Sequence, residues 1–129
     1  MPLRPQRRPT GSRSPRAAAG AAAEALAASF LAEHGLVIVE RNWRRRCGEL
    51  DLVARDGATL VFVEVRLRQR SGFGGAAASI NAAKRTRIIN AANLYLARLS
   101  HTPPCRFDAV LLDGQDPARI EWLRNAFSA

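Results

Sequence analysis

At 129 residues the chain is long enough for one domain with a core of its own. Apolar residues make up 47%, which fits a globular fold, while two cysteines are too few for a disulfide scaffold and lack zinc spacing. The net charge of +9 suggests a polyanionic partner, nucleic acid first and an acidic membrane surface second, and no apolar run is long enough to span a bilayer.

Residues 1–16 hold five arginines, four prolines and no acid. That composition cannot build a core and predicts a disordered basic arm ahead of a domain at 17–129. Arg7-Arg8 is followed by no signal-peptide core, because Ala17–Ala23 is short and soon meets Glu24, so a cytoplasmic protein is expected. Ala17 to His34 reads as an alanine-rich helix closed by Gly35, and Leu36–Glu40 as a β-branched strand. Cys47–Arg55 and Thr59–Leu67 alternate apolar and polar residues at period two, as half-buried strands do. Asp56-Gly57 favours a type I′ turn between them. Folding about that turn puts Glu49 opposite Glu64 and Asp51 opposite Phe62, with Glu49, Asp51, Glu64 and Arg66 on one face. Like charges placed opposite each other destabilise a sheet. Such a face calls for a counter-charge, and a hard divalent metal, Mg²⁺ or Mn²⁺, is the natural candidate.

Arg68–Gly75 is a polar loop; its Gly72-Phe73-Gly74-Gly75 lacks dinucleotide-fingerprint spacing and reads as a mobile cleft rim. Ser79–Leu99 reads as a long helix with an apolar stripe of Ile88, Ala92, Leu96 and Leu99. Lys84, Arg87, Ala91 and Arg98 follow a neighbouring edge of it. Ser100–Pro104 breaks the helix, Arg106–Leu112 is a buried strand, Asp113-Gly114 a turn, and Arg119–Leu123 a final edge strand. The order α-β-β-β-α-β-(β) is satisfied by an α/β fold, a mixed sheet flanked by helices on both sides.

An Asp on one strand and Glu-x-basic on the next suit metal-assisted phosphodiester hydrolysis, in which carboxylates hold the metal and a nearby cation steadies the transition state. Arg44, Arg45, Arg46, Arg68, Lys84 and Arg87 are candidates for contact with nucleic-acid phosphates, although a solvated charge run explains Arg44–Arg46 equally well. Trp43, Phe73 and Tyr95 could stack on bases, with core packing favoured for Tyr95. Asp108 has two open roles, capping the carboxylate cluster or pairing near Arg106.

Beyond the arm, the chain resembles the bacterial YraN family. The resemblance rests on Glu24, Arg41-Asn42-Trp43-Arg44, Gly48-Glu49-Leu50-Asp51-Leu52-Val53, Phe62-Val63-Glu64-Val65-Arg66, Phe73-Gly74, Lys84-Arg85-Thr86-Arg87-Ile88, Ala92-Asn93-Leu94-Tyr95-Leu96 and Arg106-Phe107-Asp108. That family is similar to the PD-(D/E)xK nuclease superfamily and to archaeal Holliday-junction resolvases. The resemblance implies a restriction-endonuclease-like fold. It implies metal ligation by Asp51 and Glu64 with the Val65 carbonyl, a helix carboxylate at Glu24, and a place for Glu49 in the same pattern. It also implies branched or otherwise structured DNA as partner. The sequence leaves a homodimer open.

One position departs from the pattern. Where the family reads Glu-Val-Lys-Thr, this chain has Glu64-Val65-Arg66-Leu67. Lysine can shed a proton when buried, whereas arginine keeps its charge and is a poor base. The first expectation is therefore a metal-dependent endonuclease. The second is a nucleic-acid-binding module that lost hydrolysis through Arg66. The third is a protein-interaction scaffold whose hairpin face takes a basic partner.

Overall fold

A computed structural model describes residues 15–67, 80–114, 116 and 119–129. The arm through residue 14, the loop from Arg68 through Gly75 with Phe73, and the expected helix start at Ser79 lie outside these residues.

Helix α1 spans Pro15–Glu33 and starts two residues before the expected Ala17. Proline is tolerated there because the first helical N–H has no partner to lose. The helix ends as the glycine predicts. Gly35 has φ +95°, Leu36 N–H reaches back to the Leu31 carbonyl at 3.1 Å, and Gly35 N–H reaches that of Ala32 at 3.1 Å. This is a Schellman closure, in which a left-handed glycine lets the chain turn back on the last carbonyls. Leu31 and Leu36, which the closure brings together, are both buried in the core under α1.

Three consecutive antiparallel strands follow: β1 (Val37–Arg45), β2 (Gly48–Asp56) and β3 (Thr59–Leu67). The β2–β3 turn is Gly57-Ala58, one residue beyond the expected Asp56-Gly57. Only Gly57 takes a positive φ, +63°, so the single left-handed position falls on glycine and Asp56 stays in the ladder opposite Thr59. The register moves by two residues: Leu52 pairs with Val63 and Val53 with Phe62. An even shift keeps every side chain on its face. It brings Asp51, not Glu49, level with Glu64.

Helix α2 (Ala82–Leu96) is capped by Asn81, whose side-chain oxygen accepts the Lys84 N–H at 2.8 Å. Its buried residues are Ile88, Ala91, Ala92 and Tyr95. Ala91 and Tyr95 thus belong to the stripe, while Leu99 lies beyond the helix end and is exposed. Strand β4 (Cys105–Leu112) returns parallel to β3, and β5 (Glu121–Phe127) closes the sheet antiparallel to β4. The sheet order is β1-β2-β3-β4-β5. One face packs under α1 through Ala23, Ala27, Ala28 and Leu31 onto Leu52, Val61 and Val110. The other packs under α2 onto Leu50, Val53, Phe62 and Phe107. Trp43 is in this second core, edge-on to Tyr95 at 5.3 Å, and so is not free to stack on bases. No described helix is long and apolar enough to cross a membrane.

Asp108 is fully buried and far from any open role at the site. It accepts from Arg106 Nε at 3.0 Å, Trp122 Nε1 at 3.0 Å and the Asn125 N–H at 3.0 Å. Arg106 also reaches Asp56 at 2.9 Å. The network ties β5 and the start of β4 to the turn end of the β2–β3 hairpin. The sequence left open capping of the carboxylate cluster or pairing with the neighbours of Arg106; the partner is Arg106 itself, together with Trp122 and Asn125.

Gly48 opens β2 where the strand meets the backbone of α2. A Cβ there would run into the carbonyl oxygen of Arg87 and sit 2.8 Å from its carbon. Backbone cannot yield as a flexible side chain would. Gly48→Ala is therefore expected to cost about 2–3 kcal/mol, the usual size of core overpacking, measured by urea unfolding.

Candidate active site

The β2–β3 ladder runs from Asp56/Thr59 to Leu52/Val63. One residue further, the Val65 N–H donates to the Asp51 carboxylate, Oδ2, at 2.9 Å. A side chain has taken the place of a backbone acceptor. Side-chain alternation breaks at the same point: Leu50 packs under α2 and Leu52 under α1, although they are two residues apart. Here the sheet opens into a cavity of about 590 Å³, lined by Glu24 from α1, Glu49 and Asp51 from β2, Glu64 and Arg66 from β3, and Lys84 from α2. Gly20 and Ala23 form its α1 wall, and their small size leaves room for the charged groups.

Three carboxyls meet within the cavity. Asp51 is the hub, hydrogen-bonded to Glu24 on one side and Glu64 on the other. Glu64 is 4% exposed, with Lys84 Nζ at 3.5 Å and Arg66 Nη1 at 3.4 Å from its Oε2. Burial, and then the charge of Asp51, push its pKa up to about 8 against the pull of Lys84 and Arg66. Glu24 is raised to about 7 by the same two causes, while the Asn42 amide and Arg44 draw it down. Glu49 is not in this inner set. It stands at the rim, half exposed, with Arg44 at 3.9 Å across the β1–β2 ladder. The gathering of carboxylates expected from the hairpin is therefore Glu24, Asp51 and Glu64, with two cations rather than one.

The basic candidates part company. Lys84 points into the cavity rather than along an outer edge. Arg44 sits at the rim, Arg45 lies over the Trp43 ring at 4.0 Å, and Arg46 occupies the exposed β1–β2 turn. Arg87 is exposed on α2 beside Gly48, and Arg68 falls outside the described residues.

Asn42 carries a role that residue-by-residue reading of the sequence left unassigned. It lies within β1 between the pairs Arg41–Leu52 and Trp43–Leu50, level with Asp51, and its φ is +49°. Its side chain hydrogen-bonds Glu24 and accepts from Arg44 at 3.4 Å. Asparagine tolerates the left-handed region better than most residues, which is the one hint the sequence holds.

Among the described residues, no group of three or more His, Cys, Asp or Glu converges tightly enough to enclose a metal ion. The donor chemistry nonetheless fits a hard divalent cation. The inner donors are all oxygens, and burial together with the charge of Asp51 raises the pKa of two of the carboxyls towards or past neutrality. A divalent cation can take the place of such protons. Asp51 and Glu64, with the carbonyl of Val65, are the groups along this cavity that could hold one.

Residues 23–112 match the group described as Uncharacterised protein family UPF0102, a span that contains Glu24, Asp51, Glu64 and Lys84. A UPF0102 protein of Methylobacillus flagellatus is 56% identical over 107 residues, covering 83% of this chain and 94% of the relative. One from Nitrosospira multiformis is 55% identical over 108 residues, covering 84% and 91%. One from Cupriavidus metallidurans is 57% identical over 109 residues, covering 84% and 79%.

Two measurements probe this geometry. Glu64 and Glu24 are protonated in the fold at pH values where an unfolded chain, at about 4.5, has already lost those protons. The folded state binds more protons, so stability should fall as pH rises from about 4.5 to 8. Thermal unfolding across that window should show the decline, and Glu64→Gln should flatten it. At Asn42 the backbone sets the outcome: Asn42→Ala should be less stable than Asn42→Gly by about 1 kcal/mol, because only glycine accepts the left-handed φ without strain.

Proposed function

The chain belongs to the UPF0102 family, and from that premise we propose that it is a metal-dependent nuclease-fold protein acting on branched or otherwise structured DNA. The observation that carries this reading is the Asp51 hub. Two neighbouring carboxyls share it inside a cavity that also holds a lysine and an arginine. A buried cluster of this kind lowers stability, and sites that do so while perturbing their own pKa values are candidates for chemistry.

Each residue then has a task. Asp51 and Glu64, with the Val65 carbonyl, hold Mg²⁺ or Mn²⁺. When bound, such a cation polarises a phosphoryl oxygen and acidifies water. The Val65 N–H fixes one Asp51 oxygen and so holds the carboxylate in place. Glu24 completes the carboxylate set from the helix, and Glu49 shapes the rim with Arg44. Arg66 and Lys84 supply positive charge for the oxygens of a five-coordinate phosphorus. An arginine is a poor general base, and the lysine of the site, Lys84, stands 3.5 Å from Glu64 against 3.4 Å for Arg66.

A second reading is favoured by one specific residue. With Arg66 in the place of lysine, the fold can bind DNA and hydrolyse it weakly or not at all. The two are separated by cleavage of a labelled four-way junction with Mn²⁺. The natural protein is expected to cleave weakly and Arg66→Lys to gain activity. Glu64→Ala in that background should abolish the gain while DNA binding survives or improves, since negative charge leaves the cavity. Strong natural cleavage that Arg66→Lys lowers would make arginine the adapted catalytic cation. No cleavage by any variant, with binding retained, would leave the binding module.

A further inference from the structure

We propose that the seam between α2 and the tip of the β1–β2 hairpin tracks the phosphates of one duplex arm leading away from the carboxylate cavity. This rests on the nucleic-acid reading above and adds the path the DNA takes.

The seam starts at the cavity, where Lys84 from the first turn of α2 reaches Glu64. Three residues on, the helix backbone approaches Gly48 at the tip of the hairpin, beside exposed Arg87. At the far end two arginines from different elements converge on one aromatic pair. Arg45 of β1 lies 4.0 Å over Trp43, and Arg98 lies 4.6 Å over Tyr95 and 5.9 Å from Trp43. Stacking holds a guanidinium against a ring, and although Arg45 Nη1 donates to the Arg44 carbonyl at 2.6 Å, a guanidinium carries five N–H donors and keeps others for an anion. No ion pair with a carboxylate is recorded for Arg45, Arg87 or Arg98 among the described residues, and α2 contains no acidic residue.

The dimensions suit a duplex. Lys84 and Leu96, the last helical residue, are twelve residues apart, about 18 Å at the helical rise of ~1.5 Å per residue, and Arg98 follows two residues beyond the helix end. The helical stretch alone spans about five base pairs at ~3.4 Å each along one strand. The proposed contact is with backbone phosphates, which carry no sequence information, so binding is independent of sequence. A built-in control exists. Arg124 lies 4.2 Å over Trp122, with the same stacked chemistry, on β5 at the opposite edge of the sheet.

The test is anisotropy of a labelled four-way junction and a linear duplex with the full chain, from about 50 to 200 mM salt. Each of Arg45→Gln and Arg98→Gln should lower the salt slope by about one and weaken binding by roughly five- to tenfold. Arg124→Gln should change neither, and circular dichroism should be the same for all. If Arg124→Gln matches the seam variants, the attraction is diffuse net charge and the seam is overturned. If the seam variants bind like the natural protein, the seam alone fails and the nucleic-acid reading stands. If the natural protein binds no DNA, both fail; binding to polyglutamate in its place would assign the seam to an acidic protein.

Discussion

The hydrogen bond from the Val65 N–H to the Asp51 carboxylate decides the shape of the functional end of this molecule. A buried N–H must have a partner, and in a sheet that partner is normally a carbonyl on the next strand. Here a carboxylate takes the place, so the strands can part without leaving an orphan donor. The parting makes room for a cavity at the very residues that line it. Asp51 thus does two things at once: it ends the ladder, and its carboxylate joins Glu24 and Glu64.

The rest of the fold brings three other elements to that opening. The buried face of α1 is mostly alanine, Ala23, Ala27 and Ala28, so the helix can lie close enough for Glu24 to reach Asp51. On the other face, Gly48 lets α2 touch the strand backbone, and the Asn81 cap fixes where that helix begins. Both constraints set the position of Lys84, which enters from the first turn. On the outer strand, Asn42 adopts a left-handed backbone to place its amide between Glu24 and Arg44. Strained positions of this kind persist where surrounding structure over-determines them, and they gather at functional sites.

The element order and the mixed sheet were legible from period-two alternation in β2 and β3 and from the glycine that closes α1. Both are local signals. Register was harder, because Asp56-Gly57 and Gly57-Ala58 are each acceptable turns by composition, and only the position of the one left-handed residue separates them. The wrong choice still kept Asp51 and Glu64 on one side, since the error was even. Alternation misled at Glu49. It predicts that Glu49 and Asp51 are equivalent, and it cannot see a strand whose alternation breaks between Leu50 and Leu52. Lys84 was placed on an edge beside the apolar stripe, because a helical wheel gives direction without saying what the first turn faces. Its partner, Glu64, is twenty residues away in sequence. Asp108 was ambiguous for the same reason, since its partners Trp122 and Asn125 come from a strand whose bounds composition marks poorly.

Two buried acids in this chain show how a structural carboxylate differs from one held for chemistry. Asp108 is 0% exposed and receives donors from Arg106, Trp122 and the Asn125 backbone at 3.0 Å each. Its charge is fully met, and the far end of the sheet is fixed by it. Glu64 is 4% exposed, yet its cations stand off at 3.4 and 3.5 Å, its nearest acid is another carboxyl, and its pKa is raised to about 8. Burial alone does not explain the contrast, because both are buried. The difference is that one site is closed by its own donors and the other is lined with acceptors in excess of them. A surplus of buried acceptors is unfavourable for folding on its own. It becomes favourable when a cation enters, which is the physical argument for reading the cavity as a place that receives one.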